Sequence, residues 1–267
     1  GKGRLFVPGA FGAVEMADTA AVFSDPLTQR PPVSYYLGHR DVSENPELMK
    51  HLVTNLAERI KAKEDNNMKA QSTSSGLVVD AFPFVGSSPE SYQLLISCAI
   101  ELGIDTVLVI DMDKLYMDLK RDLAALNELV TVVKLPKSGG VVTHDKMFKK
   151  QEERTLVQTY MYGKYNQLCP RPLVKSFGEI NLFRTFSAAL APKDALPIGM
   201  ETGTQQTEVK KIDPDESLEN RLLAVAGRDP ADPQDLVSMN VAGFVHVQKV
   251  DVAGGKLTIL APNGLPM

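Results

Sequence analysis

The sequence predicts an α/β protein in which a parallel sheet covered by helices is followed by a smaller mixed α+β domain. Between about residues 33 and 163, short β-branched runs alternate with segments of helical periodicity, the pattern of a parallel sheet buried on both faces. After Gly163 the helical spacers give way to turn-rich stretches. The length, 267 residues, fits one large domain, or one with a small companion.

The elements follow in order. Val33 to Leu37 reads as a strand, and Asn45-Pro46 supplies a cap and a first-turn proline. Leu48, Leu52, Leu56 and Ile60 then fall at i, i+4 spacing and make one buried stripe. Residues 61–75 are polar and read as a surface loop. Gly76 to Asp80 reads as a buried strand, and Ser88-Pro89 caps a helix through Tyr92, Leu95, Ala99 and Leu102 that Gly103 ends. Thr106 to Ile110 is the next strand, Leu115, Leu119 and Leu126 mark a helix, and Val130 to Leu135 is another strand. A polar, basic helix then runs from about 144 to 163. Beyond it, Cys169-Pro170-Arg171-Pro172 reads as a linker and Ile180 to Phe186 as a strand. Ala191 to Gly203 is a Pro/Gly-rich loop, and Asp213-Pro214 caps a short helix through Leu218 and Leu222. A hairpin pairs Gly243–Val250 with Lys256–Leu260 across Gly254-Gly255. The domains expected are 1–168 and 169–267.

Composition excludes several functions. With Lys+Arg 29 against Asp+Glu 33, the net charge of −4 rules out coating nucleic acid by bulk charge. No apolar run approaches the roughly 18 residues of a membrane span. Two cysteines, Cys98 and Cys169, leave no disulfide framework and no Cys-based zinc site, which fits a reducing compartment. The four histidines show no metal-ligand spacing, so no metal ligands are assigned. The chain opens on Gly1-Lys2-Gly3-Arg4 and stops at Leu265-Pro266-Met267, and we expect a fragment whose missing parts hold part of the chemistry.

In an open parallel sheet, ligands bind beyond the carboxyl ends of the strands. No G-x-x-x-x-G-K-[S/T] phosphate loop occurs in the chain. Asp80 and Asp111 each close a strand, where a carboxylate either holds a metal-bound water or caps the next element. Phe82 and Phe84 follow Asp80; each either covers the core or offers a base a stacking platform. From Lys134 to Lys164, seven cations face three acids, a local net charge of +4. Such a run is either a solvated helix face or a device for neutralising phosphate.

Leu135-Pro136-Lys137-Ser138-Gly139-Gly140-Val141-Val142 resembles the eukaryotic polyribonucleotide 5′-hydroxyl-kinase family of the pre-mRNA cleavage factor, the Clp-type kinases. So do Leu115-Tyr116 through Asp122-Leu123, Val7-Pro8-Gly9, Leu196-Pro197-Ile198-Gly199-Met200, Val241-Ala242-Gly243-Phe244-Val245 and Leu260-Ala261-Pro262. The resemblance implies an incomplete P-loop-kinase-type domain over 1–168, with a lid helix at about 144–163. It places the phosphate loop, its lysine and the activating Asp upstream of these residues. Arg154, Lys149 and Lys150 would be lid residues contacting phosphate. Phe84, His39 and Arg40 would meet RNA, and Lys137 and Asp80 would serve the cofactor, ATP with Mg²⁺. The implied function is a nuclear, ATP-binding subunit of the pre-mRNA 3′-end cleavage and polyadenylation machinery, mainly a scaffold. The alternative is a kinase that phosphorylates the 5′-hydroxyl of RNA. Implied partners are other 3′-end processing factors and an RNA 5′ end, with no membrane. The lid departs from the family in keeping one arginine and using lysines, which lack the bidentate fork.

Overall fold

The computed structural model describes residues 7–15, 33–39, 42–66, 76–82, 89–126, 130–142, 144–185, 209–230 and 232–262. Strand β1 (Ala10–Ala13) pairs antiparallel with β2 (Val33–Tyr36). At Gly12 a Cβ would meet the Val33 carbonyl oxygen and the Ser34 Cα, so the two strands approach closely only because that residue is glycine.

Helix α1 (Pro46–Asn66) begins where expected: the Asn45 Oδ1 accepts the Leu48 N–H at 3.1 Å, which satisfies one of the free donors of the first turn. Its stripe of Leu48, Leu52 and Leu56 packs with Tyr35, Leu37 and Leu94 into one core, with Ile60 at the margin. The helix runs to Asn66, past the loop expected from residue 61. Residues 61–66 are mostly good helix formers, and the Asn66 amide returns to the Ala62 carbonyl at 2.8 Å.

Helix α2 (Pro89–Glu101) ends at Gly103, which takes φ +64°. Strand β3 (Thr106–Ile110), helix α3 (Asp113–Leu126) and strand β4 (Thr131–Leu135) follow. β3 and β4 are parallel, Thr106 opposite Thr131 and Ile110 opposite Leu135. Leu119 and Leu123 of α3 bury against Val109, with Tyr92, Leu95 and Ile96 of α2 alongside. The Tyr92 hydroxyl donates to Asp122 at 2.8 Å and joins the two helices.

Among the described residues this parallel sheet is covered on one face, not on both. Leu108 and Ile110 are each 59% exposed. Gly76–Asp80, expected as a buried strand, forms no regular element, is exposed along its length, and belongs to no ladder among the described residues. The apolar run is there; the neighbours that would bury it are not among the described residues.

After helix α4 (Lys146–Tyr162) the chain becomes antiparallel. Strands β5 (Arg171–Ser176), β6 (Leu182–Thr185), β7 (Val209–Ile212), β8 (Leu222–Ala226), β9 (Val241–Asp251) and β10 (Lys256–Ala261) form one four-stranded sheet of order β5-β10-β9-β8 and a β6-β7 pair. The β9–β10 hairpin is the one expected. Two expectations fail here. The linker at 169–172 ends in β5, because Pro172 stands on an edge strand, where a missing N–H costs no ladder bond. The short helix through Leu222 shrinks to a 3-10 turn, Glu216–Leu218, capped by Asp215, and Leu222 opens β8. Ser88, Phe186 and the loop Ala191–Gly203 lie outside the described residues. The second core gathers Val245, Val247, Val250, Leu257, Ile259 and Leu218.

The two halves meet on β9. The Ser34 N–H donates to Asn240 Oδ1 at 2.7 Å and its hydroxyl to the Val241 carbonyl at 3.3 Å. The Tyr36 hydroxyl donates to the Leu222 carbonyl at 3.3 Å, and Asn55 and Arg59 of α1 donate to Ser238.

Two outcomes follow from this packing. Leu52→Ala should cost about 2–5 kcal/mol of unfolding free energy by denaturant titration, since the fully buried leucine leaves a cavity. Leu108 and Ile110, exposed on β3, should let the protein bind a hydrophobic dye and broaden its thermal transition. A sharp transition without dye binding would contradict this.

Candidate functional site

The parallel register brings the carboxyl ends of β3 and β4 to one edge. There Asp111 turns the chain with φ 55° and donates its N–H to the Leu135 carbonyl at 3.1 Å. The Lys134 ammonium pairs with Asp113, the first residue of α3. This hydrogen bond, with the charges of Asp113 and Asp111, holds the ammonium pKa above its ordinary value. Lys134 is therefore partnered locally, and the basic run begins in effect at Lys137. That residue is exposed, in a loop that turns at Ser138, whose carbonyl accepts the Val141 N–H at 3.1 Å.

Helix α4 follows this loop. Its cap is Asp145, whose Oδ1 accepts the Phe148 N–H at 2.7 Å, and the His144 ring lies against Phe148 with centroids 3.9 Å apart. Gly163 closes it, its N–H donating to the Thr159 carbonyl at 2.9 Å. Lys146, Lys149, Lys150 and Arg154 are all exposed. At about 100° per residue they share one arc of roughly 140°. The first turn holds no acid and the last turn no base. That arrangement opposes the helix dipole, which favours anions at the N-terminus and cations at the C-terminus. Cations clustered on one exposed face of the helix form a surface suited to a multiply charged anion.

The other expected residues are placed as follows. Asp80 is exposed at the end of its irregular segment. His39 is turned inward: its Nδ1 lies 3.0 Å from Glu44 Oε2, and its Nε2 is buried without a hydrogen-bond partner. Arg40 and Phe84 lie outside the described residues, whereas Phe82 packs against the α1 core, the core-covering choice left open above. Among the described residues no group of three or more His, Cys, Asp or Glu could hold a metal. A shallow groove of about 430 Å³ lies between Phe177, Ile180, Lys211, Asp213 and Val252 and includes none of the expected residues.

Sequence reasoning missed one cluster. The rings of Tyr36 and Tyr160 each stand edge-on to Phe244, with centroids 5.7 Å apart in both pairs. The Tyr160 Oη accepts the Phe244 N–H at 2.9 Å. These residues are far apart in the chain, and no local pattern links them.

Cysteine chemistry is not available at neutral pH from Cys98. Burial, with the nearby Glu101 charge, pushes its thiol up to about 11. An unfolded thiol loses its proton lower, so stability falls as pH rises between the ordinary value and about 11. At pH 8 the folded thiol is protonated and unreactive. A disulfide reagent at pH 8 should therefore modify the exposed Cys169 rapidly and Cys98 only after denaturation. Two equally fast thiols would contradict this burial.

Residues 1–163 match the family described as mRNA cleavage and polyadenylation factor CLP1 P-loop. Residues 168–267 match the family described as Pre-mRNA cleavage complex II protein Clp1. A CLP1 homolog of Nematostella vectensis is 29% identical over the whole chain and one of Aedes aegypti 30%, the chain covering 60% and 61% of them. The chain thus spans about 60% of the length of these curated relatives. Its fold is that of Clp1p in the solved structure of the wild-type Clp1p–Pcf11p complex, with a TM-score of 0.75 at 17% identity, over 98% of this chain and 62% of that one. Matched along both of its halves, in order, the chain belongs to the CLP1 family.

Proposed function

We propose that this chain is the larger part of an ATP-binding subunit of the nuclear machinery that cleaves and polyadenylates pre-mRNA, acting mainly as a scaffold. The family supports the setting. The observation that carries the nucleotide reading is the row of exposed cations Lys146, Lys149, Lys150 and Arg154 along one face of the first half of α4, where the first turn holds no acid. In this reading residues 1–168 are a kinase-type unit and 169–267 a C-terminal unit. Its partners are other 3′-end processing factors, as Pcf11p is for Clp1p in the related complex.

Lys149, Lys150 and Arg154 would lie over the phosphates, and Lys137 would add charge from the β4 loop. ATP would supply the phosphate charge that this face attracts, and Mg²⁺ would be shared between those phosphates and one or two carboxylates, for which Asp80 is the candidate.

The scaffold is preferred to the kinase on two grounds. The lid face carries one guanidinium, so one bidentate phosphate contact is available where lysines give point charges. His39 is already engaged by Glu44, which leaves it less free to hold a substrate. With Arg40 and Phe84, it would still line a path for an RNA 5′ end.

The test uses the full-length parent protein. Replacing Lys149, Lys150 and Arg154 together by alanine should weaken ATP binding at least tenfold, the loss of one or more charge-assisted contacts. Wild-type protein mixed with γ-³²P-ATP and a 5′-hydroxyl RNA oligonucleotide should bind ATP without transferring label. Transfer that collapses in Arg154→Ala would replace the scaffold by a kinase.

A further inference from the structure

The cation-bearing helix is fixed to the rest of the molecule at its far end. Lys146, Lys149, Lys150 and Arg154 are exposed, whereas Met161, in the last turn, is 2% exposed. One residue earlier, Tyr160 docks on the C-terminal sheet. The reason lies in the sheet. The last pair between β9 and β10 is His246 with Leu260, whereas β9 stays paired with β8 to Val241. Phe244 therefore has no β10 residue opposite it, and its N–H goes to the Tyr160 Oη at 2.9 Å. The Phe244 ring fills the angle between the Tyr160 and Tyr36 rings, and Tyr36 is tied to β8 through the Leu222 carbonyl. Tyr160 therefore meets a surface that is itself braced.

Geometry gives this contact leverage. Tyr160 follows Lys149 by three turns of helix, so the two residues lie within about 20° of one line along α4 and about 16 Å apart. The face that docks on Phe244 continues into the face that carries the cations. A tilt of about 10° at Tyr160 would move the Lys149 backbone by about 3 Å, more than the displacement that spoils an oriented phosphate contact.

We propose that Tyr160 is a positioning residue, the pivot through which the C-terminal sheet sets the reach and direction of the phosphate-facing cations on α4. The inference rests on the reading of α4 as a lid and adds to it the C-terminal sheet as the support from which the lid works. Tyr160→Phe keeps the ring against Phe244 and removes the acceptor of its N–H.

The experiment compares wild type, Tyr160→Phe and Lys149→Ala in the full-length parent protein. It reads amide hydrogen exchange across 146–163, thermal stability, and affinities for ATP and for ADP. Tyr160→Phe should speed exchange in α4 about tenfold, leave the melting temperature within a few degrees, and lower ATP affinity about five- to tenfold while ADP affinity changes less. A general loosening of the fold would lower both affinities together and would overturn the proposal. So would unchanged α4 exchange, or ATP affinity lost in Lys149→Ala but kept in Tyr160→Phe. Faster exchange in Tyr160→Phe with ATP affinity unchanged in both variants would overturn the lid reading itself, and with it any role of Tyr160 toward phosphate.

Discussion

Five residues of one strand hold this structure together. Residues 241–245 of β9 lie beyond the last pair with β10 while remaining paired with β8, with a bulge at Ala242. A strand edge of this kind has free donors and acceptors that must be satisfied. Here they are met by other parts of the chain. Val241 accepts the Ser34 hydroxyl, the neighbouring Asn240 accepts the Ser34 N–H, and Phe244 donates to Tyr160. The β1–β2 hairpin, with the α1 core behind it, and the cation-bearing helix are thus fastened to the same short stretch. The C-terminal sheet is accordingly a frame for the first part of the chain and not an appendage to it.

That frame makes the unfavourable features of α4 tolerable. Basic residues gathered near a helix N-terminus repel one another and the dipole, and the helix must gain its stability elsewhere. It does so through the Asp145 cap, the closing turn at Gly163, the docked Tyr160 and the buried Met161. Stability at one end leaves the other end free to be selected for charge. The same division appears in the parallel sheet, where α3 covers one face through Leu119 and Leu123 and leaves Leu108 and Ile110 open.

What the sequence made legible was local. The i, i+4 leucines of α1, the β-branched runs of β3 and β4, the Asn45-Pro46 start and the Gly254-Gly255 hairpin each carry their information within a few residues, and each stands where expected. The readings that failed depended on distant neighbours. Gly76–Val79 has the composition of a buried strand, but burial belongs to the pair of surfaces and not to the run. Pro172 reads as a linker residue until β10 is beside it and makes it an edge residue. The site divides in the same way. The charge of Lys149, Lys150 and Arg154 and their shared helix face could be read from spacing. The withdrawal of Lys134 into a pair with Asp113, the turning of His39 toward Glu44 and the docking of Tyr160 on Phe244 depend on folded geometry and leave no local pattern.

The shared fastening at β9 is tested most directly by amide hydrogen exchange in the protein carrying Asn240→Ala, which removes the acceptor of the Ser34 N–H. If β9 is the common support, exchange should rise about tenfold at Ser34–Leu37 and also at Phe244 and in the last turn of α4, which Asn240 does not touch. A rise confined to Ser34 and its immediate neighbours would show that the hairpin and the helix are held independently, and would contradict this account of how the molecule is built.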